Sequence, residues 1–517
     1  METTRIKRDL HVRCGRRGFL ALVGCGTARL VSGLLQAART DEKPKPLDKA
    51  KGRPNFVFVL SDDQGFSGTS VRMDDAVPDS RSDYYRTPNL ERLASQGMRF
   101  ARAYAPSPVC SPTRYSLLTG KSAARHGMTK ASPVVRAAPA YRLIPPSIPR
   151  QIARDETTLA HLLKRAGYAT AHFGKWHLGS GGPGGFGFDE HDGETGNRDA
   201  APHKDPNPVD IFGITRRAVA FMAKHAKASA PFYVQLSHHA LHYPENSRKA
   251  TQQACAARPK GRYHHDVLRA AITEDLDAGA GELLDGIDRL GLAGSTYVIY
   301  MSDNGAGGGS TNWPLAGGKG TLWEGGIRVP MIVRGPGVKA GTMCRVPVTG
   351  CDLLPTLCEL AGAGGSLPPG LDGGGIAPLL KNEGRGEVKR PREEIVWHFP
   401  HYQKPGLGPH SAILLGRHKL IKLHETDQVR LFDLSRDIGE RRDLAGEMPD
   451  KAAEMHRRLS KYLRDVNARM PVANAQYDPG RAPARGQGLP GRRRKGRVRP
   501  ADRTRPPARG LGGRRSD

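Results

Sequence analysis

The sequence lacks long hydrophobic runs and paired cysteines. No uninterrupted apolar run reaches the roughly 18–20 residues that a membrane-spanning helix needs, which excludes an integral transporter. The 7 cysteines are odd in number and form neither a CxxC pair nor a zinc-type spacing with histidine, so a disulfide scaffold is not indicated. Of the residues, 38% are hydrophobic and 25% are charged, which is the balance of a globular protein. The length of 517 residues predicts two or three domains.

Acidic residues are few, and the net charge is +29. Much of the excess lies at the ends: residues 1–53 carry 13 Lys/Arg against 5 Asp/Glu, and residues 471–517 carry 13 against 3. Charge concentrated in Pro/Gly-rich ends is typical of targeting segments and disordered tails rather than of a nucleic-acid groove. We therefore expect no nucleic-acid partner, whereas the moderately basic centre favours an anionic substrate.

The first 40 residues resemble a twin-arginine export signal. The pair Arg16-Arg17 precedes a moderately apolar stretch that extends to Ala38. A basic amphipathic helix of the mature protein is the alternative interpretation, and Cys25 lies in a segment that resembles a lipoprotein acylation site. We expect the twin-arginine export machinery as a partner. The expected location is periplasmic or secreted, and a lipid anchor at Cys25 is an alternative form of the exported protein.

The region 54–385 alternates short apolar strands with helical patterns. The predicted strands are 55–60, 168–173, 232–237, 296–301 and 329–333, and the predicted helices are 87–96, 157–166 and 265–290. Continuous apolar runs of this kind are buried on both faces of a sheet. The pattern predicts an α/β domain with a mostly parallel, mixed central sheet and helices on both faces.

A linker at 41–53 is predicted before the α/β region, and the chain after residue 385 divides into two further parts. Four short runs, 395–399, 411–415, 418–423 and 429–434, followed by a helical pattern at 451–466, predict a small C-terminal domain over 386–469 with an antiparallel sheet and a helix. From residue 470 to 517, Arg, Gly and Pro dominate. That basic tail has too few large apolar residues to become ordered.

Four predicted strands end in polar clusters, which read SDDQG at 61–65, GKWHLG at 174–179, SHHALH at 237–242 and SDNG at 302–305. Ligands of open α/β sheets bind beyond the carboxyl ends of the strands, so these clusters should converge on one site. Asp62, Asp63, Asp303 and Asn304 offer only hard oxygen atoms, which suit Ca²⁺ or alternatively Mg²⁺ and poorly suit zinc or copper. An isolated Asp-Asp-x-Gly is usually a turn, but the second cluster with Asp-Asn favours a metal site.

The most specific motif is CSPTRYSLLTG at residues 110–120. It resembles the signature of the sulfatase family, the formylglycine-dependent type I sulfatases of the alkaline phosphatase-like superfamily. The segments at 174–179 and 302–305, and GGKGT at 317–321, recur in that family in this order. The resemblance covers roughly residues 54–465 and implies that a formylglycine-generating enzyme oxidises Cys110 to Cα-formylglycine.

The resemblance also implies a role for each matching residue. Hydrated formylglycine at position 110 would lie at the metal and attack sulfur, with Asp303 and the metal favouring its alkoxide. Arg114 would hold the modified side chain, and Lys175 and Lys319 would neutralise the sulfate oxygens. Position 110 would therefore be a metal ligand as well as the nucleophile.

Two histidines complete the predicted set. His242 would protonate the departing alcohol, and His177 would take a proton from the second hydroxyl so that sulfate leaves and the aldehyde returns. The family usually has proline before the histidine that matches His242. Here Leu241 precedes it, so His239 is the alternative donor. The spacing of Lys175 and His177 predicts that both side chains lie on one side of an extended segment.

Two weaker signals have structural interpretations. The segment 182–187 matches the GxGxxG spacing, but no helical pattern follows it, which favours a surface loop near the site. The aromatic and imidazole groups of 397–402 are of the kind that packs in a core, and contact with a sugar is the alternative.

Taken together, the residues predict a sulfatase that hydrolyses a sulfate ester, on a carbohydrate or a small molecule. Two rivals stay open: a phosphodiesterase or phosphonate hydrolase on the same fold, and a catalytically inactive glycan- or nucleic-acid-binding protein.

Overall fold

The computed structural model describes residues 52–131, 138–403 and 407–481. The predicted export signal at 1–40, Cys25 and most of the predicted linker and tail lie outside the described residues. Within the described ranges, no helix is long and apolar enough to cross a lipid bilayer.

The described residues form sixteen strands and eleven α-helices. The strands in chain order are β1 (Asn55–Ser61), β2 (Met98–Phe100), β3 (Ala103–Tyr104), β4 (Leu143–Ile144), β5 (Ala169–Gly174), β6 (Glu190–His191), β7 (Phe232–Ser237), β8 (Thr296–Ser302), β9 (Met331–Arg334), β10 (Thr342–Cys344), β11 (Val348–Thr349), β12 (Ile395–Phe399), β13 (His410–Leu415), β14 (His418–Leu423), β15 (Val429–Asp433) and β16 (Val472–Ala473). The helices are α1 (Pro88–Ser95), α2 (Cys110–Thr119), α3 (Ala123–His126), α4 (Leu159–Arg165), α5 (Ile211–Lys227), α6 (Lys249–Ala256), α7 (Val267–Arg289), α8 (Glu324–Ile327), α9 (Leu353–Leu360), α10 (Ala377–Lys381) and α11 (Pro449–Asp465).

The central sheet has eight strands in the order β10-β2-β9-β8-β1-β7-β5-β6. The four middle strands β8, β1, β7 and β5 are mutually parallel, and only β9 runs antiparallel to its neighbours. The carboxyl ends of β8, β1, β7 and β5 therefore lie side by side at one edge of the sheet. That edge carries all four of the polar clusters.

Strand β1 shows why the apolar runs are continuous. Phe56, Phe58 and Leu60 face a core that includes residues of α4 and α9, whereas Val57 and Val59 face a second core with α1, α5 and α7. Because both faces of the strand are covered by helices, every residue of β1 is buried. The predicted fold, a mostly parallel mixed sheet with helices on both faces, is confirmed.

The small antiparallel sheet has the order β12-β13-β14-β15. One face packs on α11 through Met455, Leu459 and Leu463, and the other packs through Trp397 and Phe399 on the residues around β3 and α8. The predicted smaller region with an antiparallel sheet and a helix is present. Its limits at 386 and 469 stay predictions.

A buried ion cluster, which we call the α8 cluster, joins the small sheet to helix α8. Lys419 of β14 lies with its Nζ 2.9 Å from Glu324 Oε1 and 2.9 Å from Glu440 Oε1. All three side chains are fully buried. The backbone N–H of Glu324 donates to Glu440 Oε2 at 2.6 Å, and Tyr104 donates to Glu324 Oε2 at 3.0 Å.

The structure differs from the sequence-based expectation in two respects. Ordered chain extends beyond residue 470, where the tail was predicted to begin, because β16 pairs with β4. Helix α5, with seventeen residues, was not predicted, although its buried Ile211, Ile214, Ala218, Phe221 and Met222 recur at helical spacing.

Candidate active site

The register of adjacent parallel strands brings the polar clusters together. Ser61 of β1 pairs with Ser302 of β8, so Asp62 and Asp303 follow at neighbouring positions. Gly174 of β5 pairs with Ser237 of β7, and the next residue along the chain is Lys175. The convergence that the sequence predicted arises from parallel strands that end at the same level.

Three carboxylates form the centre of the site. Asp62, Asp63 and Asp303 are buried and offer ligand oxygen atoms that all lie within 4.8 Å of one another. The backbone N–H of Asp63 donates to Asp303 Oδ1 at 3.1 Å, and Asn304 Nδ2 donates to Asp63 Oδ1 at 2.7 Å. The fourth predicted ligand residue is thus hydrogen-bonded into the same cluster.

Helix α2 carries the predicted nucleophile at its first position. Cys110 is 2% exposed, and Arg114 lies four residues later on the same face. The Arg114 guanidinium donates to Asp303 Oδ2 at 3.1 Å, to Asp62 Oδ2 at 3.4 Å and to the Lys175 carbonyl at 2.7 Å. The same residue therefore ties the helix to both aspartate-bearing strands.

The loop after β5 supplies two further predicted residues. Gly174 has a φ of 91°, and a Cβ at this position would collide with the Ser237 carbonyl. The fully buried Lys175 side chain forms an ion pair with Asp62. His177 also faces the cluster, but the chain is not extended there as the spacing suggested, since the φ of His177 is 59°. A turn, rather than an extended segment, places the imidazole beside the ammonium group.

Lys319 reaches the cluster from the glycine-rich loop before α8. Its Nζ lies 2.6 Å from Asp63 Oδ1 and 2.8 Å from Asp63 Oδ2. Although burial opposes its charge, the carboxylate of Asp63 raises the pKa of Lys319. The lysine is therefore a fixed cation at the rim of the site.

The two candidate proton donors differ in exposure. His239 is 4% exposed, and its Nδ1 is buried without a hydrogen-bond partner. His242 is only half-buried, with its Nδ1 2.7 Å from the Tyr243 carbonyl, and it interacts electrostatically with Asp62 and Lys319. His242 is therefore the more solvent-accessible of the two imidazoles.

Burial sets the protonation of the site. It lowers the pKa of His177 to about 3, with Lys175 acting in the same direction, so this imidazole is neutral and can accept a proton. Burial opposes ionisation of Asp62, yet Lys175 and Arg114 hold the pKa of this carboxyl well below its usual range. Burial and the charge of Asp62 raise the pKa of Asp303 well above its usual range. Three cations, Arg114, Lys175 and Lys319, therefore lie beside the three carboxylates.

Two oxygen atoms at the cluster have no protein partner. Asp62 Oδ1 and Asn304 Oδ1 are buried and accept no hydrogen bond from the described residues. Buried oxygen atoms without donors cost free energy unless a cation or water binds them. The donor set is made entirely of hard oxygens, and it fits a divalent ion such as Ca²⁺ or Mg²⁺.

Thr195 supports the turn after β5, and no sequence motif identifies it. Its hydroxyl accepts from the Trp176 N–H at 2.9 Å and donates to the Gly174 carbonyl at 2.5 Å, and its own carbonyl accepts from the His177 N–H at 2.8 Å. These bonds fix the turn that presents Lys175 and His177. Thr195 lies in a long loop, where no periodicity or motif marks it.

The aromatic segment at 397–402 makes contacts in two places, and its contact with a sugar stays a prediction. Trp397 packs in the core and donates to the Ala105 carbonyl at 2.8 Å. His401 and Tyr402 instead contact Thr129 and Lys130, beside the site. The glycine-rich segment at 182–187 forms a short 3₁₀ turn at Pro183–Phe186.

Comparison with known proteins gives a consistent result. The Sulfatase family model matches residues 54–363, and a model described as N-sulphoglucosamine sulphohydrolase, C-terminal, matches residues 318–469. A sulfatase of Formosa agariphila is 30% identical over 85% of this chain and 93% of its own length, and human arylsulfatase A is 30% identical over 81% and 89%. A solved structure described as Ps i-CgsB in complex with k-i-k-neocarrahexaose has a TM-score of 0.65 and 25% identity over 80% of this chain and 93% of that chain. With the first family model covering more than half of the sequence, the chain belongs to the sulfatase family and is a sulfuric ester hydrolase.

Proposed function

We propose that the protein hydrolyses a sulfate ester on a carbohydrate, with Cα-formylglycine formed from Cys110 as nucleophile and a divalent cation, Ca²⁺ or alternatively Mg²⁺, as cofactor. The observation that carries this proposal is the position of Cys110. It lies buried at the start of α2, where it interacts electrostatically with Arg114, Asp303 and Lys319. A side chain in this position is surrounded by the groups that bind and neutralise an anionic ester.

The cation would be held by Asp62, Asp63, Asp303 and Asn304, together with the modified side chain of residue 110. When bound, it neutralises the carboxylates and withdraws electron density from the sulfate group. The orphaned oxygens Asp62 Oδ1 and Asn304 Oδ1 support this assignment.

The chain's own residues divide the remaining work. Arg114 orients the side chain of residue 110, and Lys175 and Lys319 are fixed cations for the sulfate oxygens. His177 is neutral and accepts a proton from a hydroxyl of residue 110 when sulfate departs. His242 donates a proton to the leaving oxygen. Burial lowers the pKa of free His242, and a sulfate ester bound beside it would raise that pKa because the anion stabilises the imidazolium.

A carbohydrate substrate is supported by two relatives. The family model matched by residues 318–469 is named for N-sulphoglucosamine, and the structure similar to this chain was solved with a neocarrahexaose. Both names concern sugars. We extend that substrate class, and no particular sugar, to this chain.

Maturation has to precede folding in this proposal. Cys110 is 2% exposed and begins a buried helix, so a formylglycine-generating enzyme reads the segment 110–114 on the unfolded chain. We further propose export through the Arg16-Arg17 segment. Replacing both arginines by lysine keeps the charge and should leave enzyme in the cytoplasm, whereas equal export would refute the signal.

Initial rates on two matched aryl esters test the function. We expect 4-nitrophenyl sulfate to be hydrolysed faster than bis(4-nitrophenyl) phosphate at equal concentration, and Cys110→Ala to remove the sulfatase rate. A faster phosphodiester rate, lost in the same variant, would assign the site to a phosphodiesterase instead.

A further inference from the structure

A cavity of about 300 Å³ opens beside the first turn of α2. It borders the proposed nucleophile, because Ser111 and His177 both line it. Ser111 Oγ donates to the His177 carbonyl at 2.8 Å, so these two walls are joined. Among the described residues, the charged side chains that line the cavity are Lys130, Arg150 and Glu194.

Lys130 is a partly buried cation without an anionic partner. Its Nζ makes one long contact, 3.5 Å to the Tyr402 carbonyl, and among the described residues it forms no ion pair. Burial lowers the pKa of Lys130, and no nearby carboxylate offsets this effect. A half-buried ammonium of this kind is stabilised when an anion enters the cavity.

His401 and Tyr402 hold in place the part of the cavity wall that carries Lys130. His401 Nε2 lies 2.7 Å from the hydroxyl of Thr129, the residue before Lys130. The Tyr402 ring stacks on Tyr141 with centroids 4.0 Å apart. The cation therefore sits on a braced backbone and is positioned before a ligand arrives, which reduces the entropy cost of binding.

Arg150 and Glu194 also contribute charge to the cavity. Arg150 is exposed and forms no ion pair among the described residues, so it is a second cation at the cavity. Glu194 is exposed, and its carboxylate accepts from the Gly181 N–H at 2.9 Å. With two cations and one carboxylate, the cavity favours an anionic group.

We propose that this cavity binds a second anionic group of the substrate, a carboxylate or a further sulfate, through Lys130 and Arg150. The inference rests on the proposed function, because it requires the sulfate ester itself to be at residue 110. It makes the enzyme selective for substrates with two anionic groups over those with one.

The test uses aryl sulfates that differ only in a second anion. Mature wild-type enzyme and the variants Lys130→Met, Lys130→Arg, Glu194→Gln and Lys381→Met are assayed on 4-nitrophenyl sulfate, on its 2-carboxy and 3-carboxy derivatives, and on 4-nitrocatechol bis-sulfate. Lys381 is an exposed lysine of α10 that does not line the cavity. The measurement is the ratio of kcat/KM for each doubly anionic ester to that for 4-nitrophenyl sulfate.

We expect this selectivity ratio to fall about tenfold in Lys130→Met, because a charge-assisted hydrogen bond is lost. It should be largely kept in Lys130→Arg, raised in Glu194→Gln and unchanged in Lys381→Met. A fall confined to the carboxylates, or to the bis-sulfate, identifies the anion. An unchanged ratio in Lys130→Met for every ester, or an equal fall in Lys381→Met, overturns the proposal.

A binding arm separates failure of this subsite from failure of the proposed function. If mature wild-type enzyme hydrolyses none of the esters, the proposed function fails. The subsite is then tested by calorimetric titration of Cys110→Ala protein with 2-carboxy-4-nitrophenyl sulfate and 4-nitrocatechol bis-sulfate. If adding Lys130→Met to the Cys110→Ala protein weakens the binding of either ester about tenfold, the result supports the proposed anion site. If both esters bind equally well with and without Lys130→Met, the result overturns it.

Discussion

The protein buries two clusters of charged side chains that differ in geometry. In the active site, ligand oxygen atoms of Asp62, Asp63 and Asp303 lie within 4.8 Å of one another, and Asp62 Oδ1 accepts no hydrogen bond from the described residues. In the α8 cluster, Lys419 lies 2.9 Å from the carboxylates of both Glu324 and Glu440. The carboxylates are buried in both places, so exposure alone does not distinguish a ligand site from a structural ion cluster.

The distinction lies in the geometry of the carboxylates, because both clusters hold cations beside them. In the α8 cluster one ammonium lies between two carboxylates, and burial raises the pKa of Glu440 to about 7, which reduces its negative charge. In the active site Arg114, Lys175 and Lys319 lie beside the three carboxylates, and burial likewise raises the pKa of Asp303. The oxygen atoms of these carboxylates nevertheless converge within 4.8 Å of one another, which is the arrangement that a divalent cation binds.

The largest expected effect concerns the nucleophile. Cys110→Ala should reduce sulfate release by at least about a thousandfold while leaving the unfolding temperature almost unchanged, because the small side chain is replaced by another small one. Cys358→Ala, another buried cysteine, is the matched control and should keep its activity. Substantial turnover by Cys110→Ala would remove the active site from this position.

A second experiment compares the two clusters directly through their affinity for metal. Ca²⁺ should raise the unfolding temperature of the wild-type protein and restore activity after chelation, because it binds only the folded cluster. Asp62→Asn should lose most of this thermal shift. Glu440→Gln, a change of a buried carboxyl in the α8 cluster, should keep it. An equal shift in both variants would mean that Ca²⁺ binds elsewhere.

The sequence predicted the residues of the active site better than the residues that hold them in position. Asp62, Asp303 and Lys175 follow strands whose apolar runs are unmistakable, so their meeting point follows from parallel pairing. Thr195 and Lys130 lie in irregular loops, where contacts depend on tertiary packing rather than on periodicity. The α8 cluster was not foreseen, because Glu324, Lys419 and Glu440 are distant in sequence and match no motif.

A third experiment tests whether the α8 cluster is structural. Lys419→Met leaves Glu324 and Glu440 as buried carboxyls without their ammonium, which should lower the free energy of unfolding by about 3–5 kcal/mol. The activity per folded molecule should stay. Lys461→Met, which removes an exposed i,i+4 ion pair, is the control and should cost less than about 0.5 kcal/mol. Urea unfolding gives both values, and equal losses would refute the assigned role.

The smallest expected effect is the pH dependence of stability that arises from buried histidines in the small sheet. Burial lowers the pKa of His398 and His410 in the small sheet to about 4, from 6.5. The unfolded chain therefore takes up protons first, and stability should fall as the pH drops from about 6.5 towards 4, by about 1 kcal/mol per histidine at pH 5.5. Glu440 acts in the opposite direction, so the pH slope of wild type is compared with that of His410→Gln. A slope that the substitution leaves unaltered would contradict this origin.

The most direct test is mass spectrometry of the peptide that holds Cys110, combined with the specific activity of the same preparation. The account predicts that sulfur is replaced by an aldehyde oxygen at residue 110, and that sulfatase activity rises in proportion to the fraction converted. Full activity in protein whose Cys110 remains an intact thiol would contradict it.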